Sequence, residues 1–420
     1  MALASLRPLR HRDFALLWTA ALVSNVGTWM QTVAVGVLVT LRTGQAGWTG
    51  LVAAAAFLPM GLLSPVGGAM ADRHDRRRWL LLTTIGETVF AAVLTVLAAT
   101  GNAGPVPVTL VVFGGGAMTA IGLPAYQAML PDMVGRRDLL GAISLSSAQW
   151  NLGRVIGPAL AGAVIVIGSY TWAFAVNAVS FAAVIIALLL VRPRRAPREE
   201  RRGLLSEIAT GARAAAADPG CRTAILVIAL VAFLASPFIA LVPAVALKLF
   251  HHKAAGTSVL VTAQGIGAVA GALALAPLAA RLGRHRLLVV DLLLLPVLLT
   301  LYGLAPNLSL AAVALVAVGA AYIGVLAGLN TVVQLRAPSV LRGRVVSLYM
   351  VALGVIYPVG AVVQGAVADH IGLRTVVVGA AVILVVLLAA LFGRRPDLAR
   401  SLDDSNRAGA VADPLASTAA

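Results

Sequence analysis

The chain has 420 residues, of which 60% are hydrophobic and only 11% are charged. A soluble globular chain is about 45–50% apolar and about 25% charged. A soluble core therefore does not account for this composition, and lipid must cover much of the apolar surface. The net charge of +16 would suggest nucleic acid in a soluble protein. Here the basic residues lie in short clusters between apolar runs, which indicates a membrane surface and no nucleic-acid partner.

The first apolar run begins after three arginines and extends over about residues 14–41. It is far longer than the apolar region of a signal peptide, so we interpret it as a spanning helix that is retained. The single cysteine, Cys221, excludes an intramolecular disulfide framework.

Twelve apolar runs are long enough for a spanning helix, which needs about 20 mostly apolar residues. The predicted helices are 14–41, 48–71, 79–100, 106–129, 139–167, 171–191, 222–247, 256–280, 287–304, 308–334, 345–368 and 374–393. We therefore expect an all-α integral membrane fold with twelve transmembrane helices.

These helices divide into an N-terminal six-helix bundle, 1–191, and a C-terminal six-helix bundle, 222–393. A cytoplasmic central loop, 192–221, separates them, and its part from Leu204 to Ala217 has the pattern of an amphipathic interfacial helix. The polar tail 394–420 is expected to be disordered and cytoplasmic.

The distribution of Lys and Arg predicts the orientation. Nearly all of them fall in segments that share one side with the N-terminus, and a few fall on the other side: Arg42, Lys248, Lys253 and Arg374. Because cytoplasmic loops carry the excess of basic residues, both termini are predicted to be cytoplasmic.

The loop after the second predicted helix has a compact motif, Gly68 followed by Asp72-Arg73 and the basic residues Arg76 and Arg77. Gly68 is expected to permit close helix contact, and Asp72 would be favourable at a neighbouring helix N-terminus. The arginines would hold the loop at the anionic membrane surface. The alternative interpretation is an ordinary solvated, positive-inside loop.

The fifth predicted helix carries a second motif, in which Gly153 and Gly157 lie four residues apart and Pro158 and Gly162 follow. Small residues at this spacing form a smooth face that lets helices approach closely in lipid, and Pro158 permits a bend. The motif is interpreted as a hinge or seal, or alternatively as ordinary packing. A matching face is expected on the eighth helix, at Gly267 and Gly271.

Three charged residues fall within predicted spanning helices: Glu87, Arg154 and Asp291. An arginine at the bilayer centre costs about 2.5–3.5 kcal/mol on insertion scales, so Arg154 needs an acidic partner or a wet cavity. Glu87 is the best candidate partner, and Asp291 is shallower. Our hypothesis is that Glu87 takes part in proton coupling, with Arg154 as a partner for substrate or carboxylate. The alternative is a fixed structural pair, or a Glu87 that reaches to the interface.

Polar and aromatic residues mark a predicted cavity, because polar side chains in spanning helices usually face the bundle interior. Gln31 is expected to lie to one side of the stripe on the first helix. Hydrogen-bonded helix packing is the alternative for each cavity residue. The candidates are Asn25, Thr28 and Trp29 from the first helix and Gln264, Asn330 and Tyr357 from the second half.

The sequence has no phosphate-binding loop and no nucleophile–base or metal-ligand constellation. We therefore expect neither an enzyme nor a cofactor, and no metal site.

Several segments resemble the major facilitator superfamily, and the resemblance covers about 12–393. They include Arg12 to Trp18, Ala71 to Arg76, Leu130 to Val134, Asn151 to Arg154 with Gly157-Pro158, and Arg342 to Ser347. The finer resemblance is to the subgroup of enterobactin exporters and macrolide efflux proteins, the transmembrane secretion effectors. The loop and fifth-helix motifs resemble the superfamily's loop signature and antiporter motif.

This resemblance implies two six-helix bundles, alternating access, and export driven by the proton gradient. We expect a monomeric secondary transporter in a bacterial-type inner membrane that exports a small molecule such as a drug, siderophore or metabolite. Its partners would be the lipid bilayer, the substrate and protons. An importer or facilitator on the same fold and a non-transport membrane scaffold are the alternatives.

Two departures from the superfamily pattern bear on mechanism. Ala276 and Ala280 stand where a second loop motif would have Gly and Asp, and the fourth helix lacks a mid-helix Arg.

Overall fold

The computed structural model describes residues 6–167, 169–191, 204–252, 254–338, 341–394 and 402, with the backbone alone for 136, 166, 204–209 and 394. We number the long helices α1 to α12 in chain order. They are α1 Arg12–Thr43, α2 Ala46–Arg73, α3 Arg76–Ala99, α4 Pro105–Gly135, α5 136–167, α6 Tyr170–Leu190, α7 Pro219–Lys248, α8 Ala254–Leu282, α9 Arg284–Leu304, α10 Leu308–Arg336, α11 Arg342–Ile371 and α12 Leu373–Arg394.

The expected all-α membrane fold is confirmed, and no strand occurs in the described part of the chain. Eleven of these helices are long and apolar enough to cross a membrane: α1 to α4 and α6 to α12. The remaining one, α5, continues from α4 through Gly135, whose φ of 72° and ψ of 172° break the helix. Glycine adopts a positive φ without a steric penalty, so the chain can turn there.

The predicted helix in the central segment is present as Leu204–Ala217, which we call the linker helix. It lies against the beginning of α11, since a Cβ on Gly211 would be 3.0 Å from the backbone oxygen of Arg344. The first part of the central loop, 192–203, and the tail after Arg394, apart from Leu402, lie outside the described residues.

Buried apolar residues form three clusters. The largest contains residues from Ala215 to Leu402 together with Ala46 of α2. The members of the second cluster fall between Phe14 and Val191. Those of the third fall between Met30 and Phe174, together with Ala254 of α8. Each half of the chain therefore buries its own apolar surface, and single small residues cross from one half to the other.

Polar side chains satisfy the helix ends at the predicted cytoplasmic side. Asp75 begins α3 by accepting a hydrogen bond from the backbone N–H of Arg78 at 2.9 Å. Asp218 does the same for α7 through the N–H of Cys221, and its carboxylate also pairs with Arg336 at the end of α10, at 2.9 Å. This second contact fastens α7 to α10.

Two helices of the second half contain a single π-helical turn before a proline. It spans Val231–Ala235 in α7, ahead of Pro237, and Ala352–Ile356 in α11, ahead of Pro358. Such turns leave carbonyl groups without their usual partner. In α7 the side-chain amide of Gln364 on α11 donates to the carbonyls of Phe233 and Leu234, at 2.7 and 3.0 Å. The irregular turn thus becomes a contact between α7 and α11.

Candidate transport cavity

The candidate site is a cavity of about 160 Å³ that helices from both halves of the chain enclose. Its wall is mostly apolar and strongly aromatic, and it includes Trp29 and Trp150, whose rings meet edge to face at 5.8 Å. Phe57 of α2 and Tyr357 of α11 meet in the same way, also at 5.8 Å. The cavity can therefore accommodate an apolar or aromatic molecule at the junction of the two halves.

A polar network lies on the first-half wall. The side-chain amide of Asn177 on α6 donates to the oxygen of Gln31 at 2.9 Å, and Thr28 lies 3.5 Å from the Asn177 oxygen. The sequence interpretation placed Gln31 to one side of the polar stripe, which was wrong because Gln31 lines the cavity. Asn177 was missed as a cavity residue, although an asparagine within an apolar helix is the pattern that marks such positions.

Of the predicted cavity residues, the structure places Thr28, Trp29 and Tyr357 in the wall. The other three do not line it. Asn25 lies against Gly153 of α5, Gln264 contacts Arg154, and Asn330 accepts a hydrogen bond from Gln334 on its own helix, at 3.2 Å.

Glu87 of α3 lines the cavity, and the hydroxyl of Thr119 on α4 donates to its carboxylate at 2.5 Å. The hypothesised pair with Arg154 is not formed. Arg154 of α5 instead donates to the side-chain oxygen of Gln264 on α8 at 2.8 Å, and its guanidinium lies 5.6 Å from the centre of the Trp29 ring. A cation over a tryptophan face is stabilised by the ring quadrupole. Arg154 therefore joins the two halves of the chain.

Asp291 is not brought to these groups. It lines a separate cavity of about 270 Å³ among α8, α9 and α10. There it lies so close to Gly324 that a Cβ at that position would be 2.1 Å from its carboxylate oxygen.

The face of small residues on α5 packs mainly on α1. A Cβ on Gly153 would be 2.9 Å from the side chain of Asn25, and one on Gly157 would be 2.7 Å from the backbone oxygen of Val26. Farther along, Gly162 lies against Ser258 of α8. Pro158, between these glycines, is buried and is accommodated within α5.

The predicted matching face on α8 was assigned to the wrong neighbour. Gly267 and Gly271 pack against Val316 and Ala320 of α10. The glycine of α8 that faces α5 is Gly265, which lies beside Val155.

The loop motif after α2 works differently from the prediction. Among the described residues, no packing neighbour lies within 4 Å of a Cβ built on Gly68, whereas one built on Gly67 would be 2.5 Å from the Cα of Ile121 on α4. The close helix contact therefore belongs to Gly67. Asp72 and Arg73 occupy the last turn of α2.

The two arginines of the motif that begin α3 bind the ends of other helices. Arg76 donates to the carbonyl of Ala128 and to Asp132 of α4, both at 3.0 Å. Arg77 donates to the last carbonyls of α6, those of Leu188 and Leu189. Positive charge is favourable at helix C-termini, so these residues hold α3, α4 and α6 together.

A further contact between the halves was not predicted. The carboxylate of Asp369, near the end of α11, accepts the backbone N–H groups of Ala46 and Gly47 at the start of α2, at 2.7 and 2.8 Å. Lys248 of α7 lies 3.4 Å from the same carboxylate. A Cβ on Gly50, one turn along α2, would be 2.2 Å from a backbone oxygen of α11. We call the Asp369 contact the α2–α11 clasp.

Comparison with known proteins gives a consistent result. A family model described as transmembrane secretion effector matches residues 3–417. The chain is 29% identical to the multidrug efflux pump Tap of Mycolicibacterium fortuitum over 86% of this chain and 90% of the relative. It is 26% identical to the enterobactin exporter EntS of Citrobacter koseri over 81% of each chain.

Among solved structures, a bacterial homologue of the human lysosomal transporter Spinster, in its inward-facing and unoccupied conformation, shares the fold. Its TM-score is 0.72 at 18% identity, covering 94% of this chain and 98% of that one. The chain thus belongs to the transmembrane secretion effector family of the major facilitator superfamily, a family of multi-pass membrane transporters.

Proposed function

We propose that this protein exports small molecules across a bacterial inner membrane by alternating access, in exchange for protons. The observation that carries the proposal is the aromatic cavity at the junction of the two halves, with the carboxyl group of Glu87 in its wall. A relative named as a multidrug efflux pump and another named as an enterobactin exporter match most of the chain. The protein would act as a monomer without enzymatic activity, and it would bind no nucleic acid.

Alternating access requires two units that rock against each other. We assign them to residues 1–191 and 222–393, because each segment buries its own apolar surface. The contacts between them include the α2–α11 clasp, the close approach of α2 to α11, the packing of Gly36 in α1 on Pro243 in α7, and the contact of α5 with α8 through Arg154 and Gln264. The positive-inside pattern predicts that both termini are cytoplasmic, which would place the clasp on the outer side of the membrane.

Glu87 is the group that we assign to proton coupling. Its hydrogen-bond partner among the described residues is the Thr119 hydroxyl, and it faces the cavity rather than a basic residue. A carboxyl group in this position exchanges its proton with the side to which the cavity is open. Proton release on one side and substrate release on the other then become linked steps.

Transport in everted membrane vesicles tests this function. Vesicles from cells that overproduce the protein are given a macrolide, enterobactin and a panel of fluorescent dyes, with and without an uncoupler. Accumulation that the uncoupler abolishes supports proton-driven export. Flux that the uncoupler leaves unchanged would indicate a facilitator, and the absence of flux for every compound would favour a scaffold.

The variant Glu87→Gln tests the coupling residue, with Asp291→Asn as the matched control at a carboxyl group outside the cavity. We expect Glu87→Gln to lose accumulation driven by an imposed proton gradient while the control retains it. Unchanged coupling in Glu87→Gln would remove Glu87 from the mechanism.

A further inference from the structure

Three buried N–H donors meet where α1, α5 and α8 come together. The Nε of Arg154, the Nε2 of Gln264 and the Nε1 of Trp29 are all buried, and none donates a hydrogen bond within the described part of the chain. Trp29 is 8% exposed and Gln264 only 2%. We call these three groups the donor cluster.

The orientation of the amide follows from its neighbour. Because Arg154 donates to the Oε1 of Gln264, that oxygen must be the acceptor, and the Nε2 of Gln264 is left as a second donor beside the guanidinium. The guanidinium in turn lies 5.6 Å from the Trp29 ring centre. The donor cluster therefore presents N–H groups and one positive charge, and its single acceptor is already in use.

The described residues supply no anion for this charge. None of the ion pairs within 4 Å that the described residues form involves Arg154. The phenols of Tyr322 and Tyr357 act electrostatically on Arg154, but a phenol is neutral at physiological pH. The Tyr322 hydroxyl is also hydrogen-bonded to Ser236 at 2.8 Å. A buried donor without a partner costs about 1–3 kcal/mol, and more when it is charged. An acceptor from outside the chain would remove this cost.

The donor cluster borders the transport cavity, because Trp29 belongs to both. We propose that it binds a carboxylate, or a comparable anionic oxygen group, of the exported molecule, while the aromatic part of that molecule fills the cavity. The proposal rests on the proposed export function and names its substrate class, an aromatic or amphipathic organic anion. Since Arg154 and Gln264 belong to opposite halves, the bound anion would contact both and link its binding to their relative movement.

Binding of aromatic acids to the purified full-length protein tests the proposal. The probes are phenylpropionic, 2-naphthylacetic and 4-biphenylacetic acid, each compared with its primary amide. Tryptophan fluorescence and thermal unfolding report binding. We expect at least one acid to bind about tenfold or more tightly than its amide, which is about 1.4 kcal/mol of discrimination.

Two variants should remove this preference by different routes. Arg154→Met removes the charge, whereas Gln264→Glu keeps Arg154 but supplies an internal carboxylate that occupies it. In both variants the affinity for the acid should exceed the affinity for its amide by about twofold or less. Arg281→Met, the same change at an exposed arginine of α8, should leave the ratio unchanged.

Three results would overturn the proposal. The first is that no acid binds more tightly than its amide, and the second is that the preference for the acid survives in both variants. The third is that chloride displaces the acids and stabilises the wild-type protein against thermal unfolding equally well. The last would make the cluster a site for an inorganic anion. This experiment is separate from export: a preserved acid preference with no vesicle transport would count against the proposed function alone, and export without the preference would count against the donor cluster alone.

Discussion

The α2–α11 clasp offers the sharpest test of the proposed alternating access. Asp369→Ala removes a carboxylate that accepts two backbone N–H groups at the N-terminus of α2, at 2.7 and 2.8 Å. Hydrogen bonds to charged groups contribute about 1.5–3 kcal/mol, and a carboxylate at a helix N-terminus adds about 0.3–1 kcal/mol. Because the Asp369 side chain is 21% exposed, solvent weakens these interactions, and we take about 2 kcal/mol for the whole contact. The ion pair with Lys248 is left out of this value, because the lysine side chain is 36% exposed.

If the clasp exists only in the outward-closed state, its loss raises the population of the outward-open state by about 30-fold, since about 1.4 kcal/mol corresponds to a factor of ten. A cysteine at Ala53, which lines the cavity, reports this opening in a Cys221→Ser background. An impermeant maleimide added outside intact cells would label it at a rate proportional to that population.

Lys248→Gln is the control, because it removes only the weaker contact of the clasp and should change the labelling rate by less than about fivefold. Wild-type labelling in Asp369→Ala would refute the reasoning. It would show that the backbone contacts of Asp369 do not distinguish the closed state from the open one.

Three further predictions concern stability in detergent, measured by thermal unfolding. Gly67→Ala should lower the unfolding free energy by about 1–3 kcal/mol by forcing α2 away from α4, whereas Gly68→Ala, one residue on, should be neutral; equal effects would contradict the assigned contact. Asp218→Ala should cost about 2–5 kcal/mol, because it removes both the N-cap of α7 and a carboxylate that Arg336 of α10 binds, and an unchanged midpoint would contradict this. The pKa of Asp138, in the first turn of α5, is lowered mainly by its hydrogen bond with His11. This contact therefore stabilises the fold above the ordinary aspartate pKa of 3.8, and the stabilisation is lost as the pH falls through the lowered value. Asp138→Asn should flatten that part of the stability–pH profile, and an identical profile would contradict the assignment.

Much of the fold was predictable because a spanning helix must be a continuous apolar segment of the sequence. A bilayer requires runs of about 20 apolar residues whose backbone groups bond internally. The predicted helix positions therefore agree with the observed ones, and even the linker helix Leu204–Ala217 was foreseen. One long helix, α5, is outside the eleven that are identified as spans.

The partners of individual residues were predicted less well. Gly67 and Gly68 are chemically identical neighbours, and only the position of α4 decides which of them makes the close contact. The sequence identified Arg154 as a buried charge in need of a partner. Glu87, the carboxylate that we expected to pair with it, instead accepts a hydrogen bond from Thr119. Gln264, more than a hundred residues away, provides the contact.

The sequence by itself determined that this is a helical membrane protein of the secretion effector type, because hydrophobic run length and local motifs are properties of contiguous residues. Only the tertiary structure decided where the two halves meet and what lies between them. The α2–α11 clasp joins residues about 320 positions apart, and the donor cluster gathers groups from three helices. Such contacts depend on how helices rotate and pack against one another, and a uniformly apolar helix in lipid carries little periodicity from which that rotation can be read.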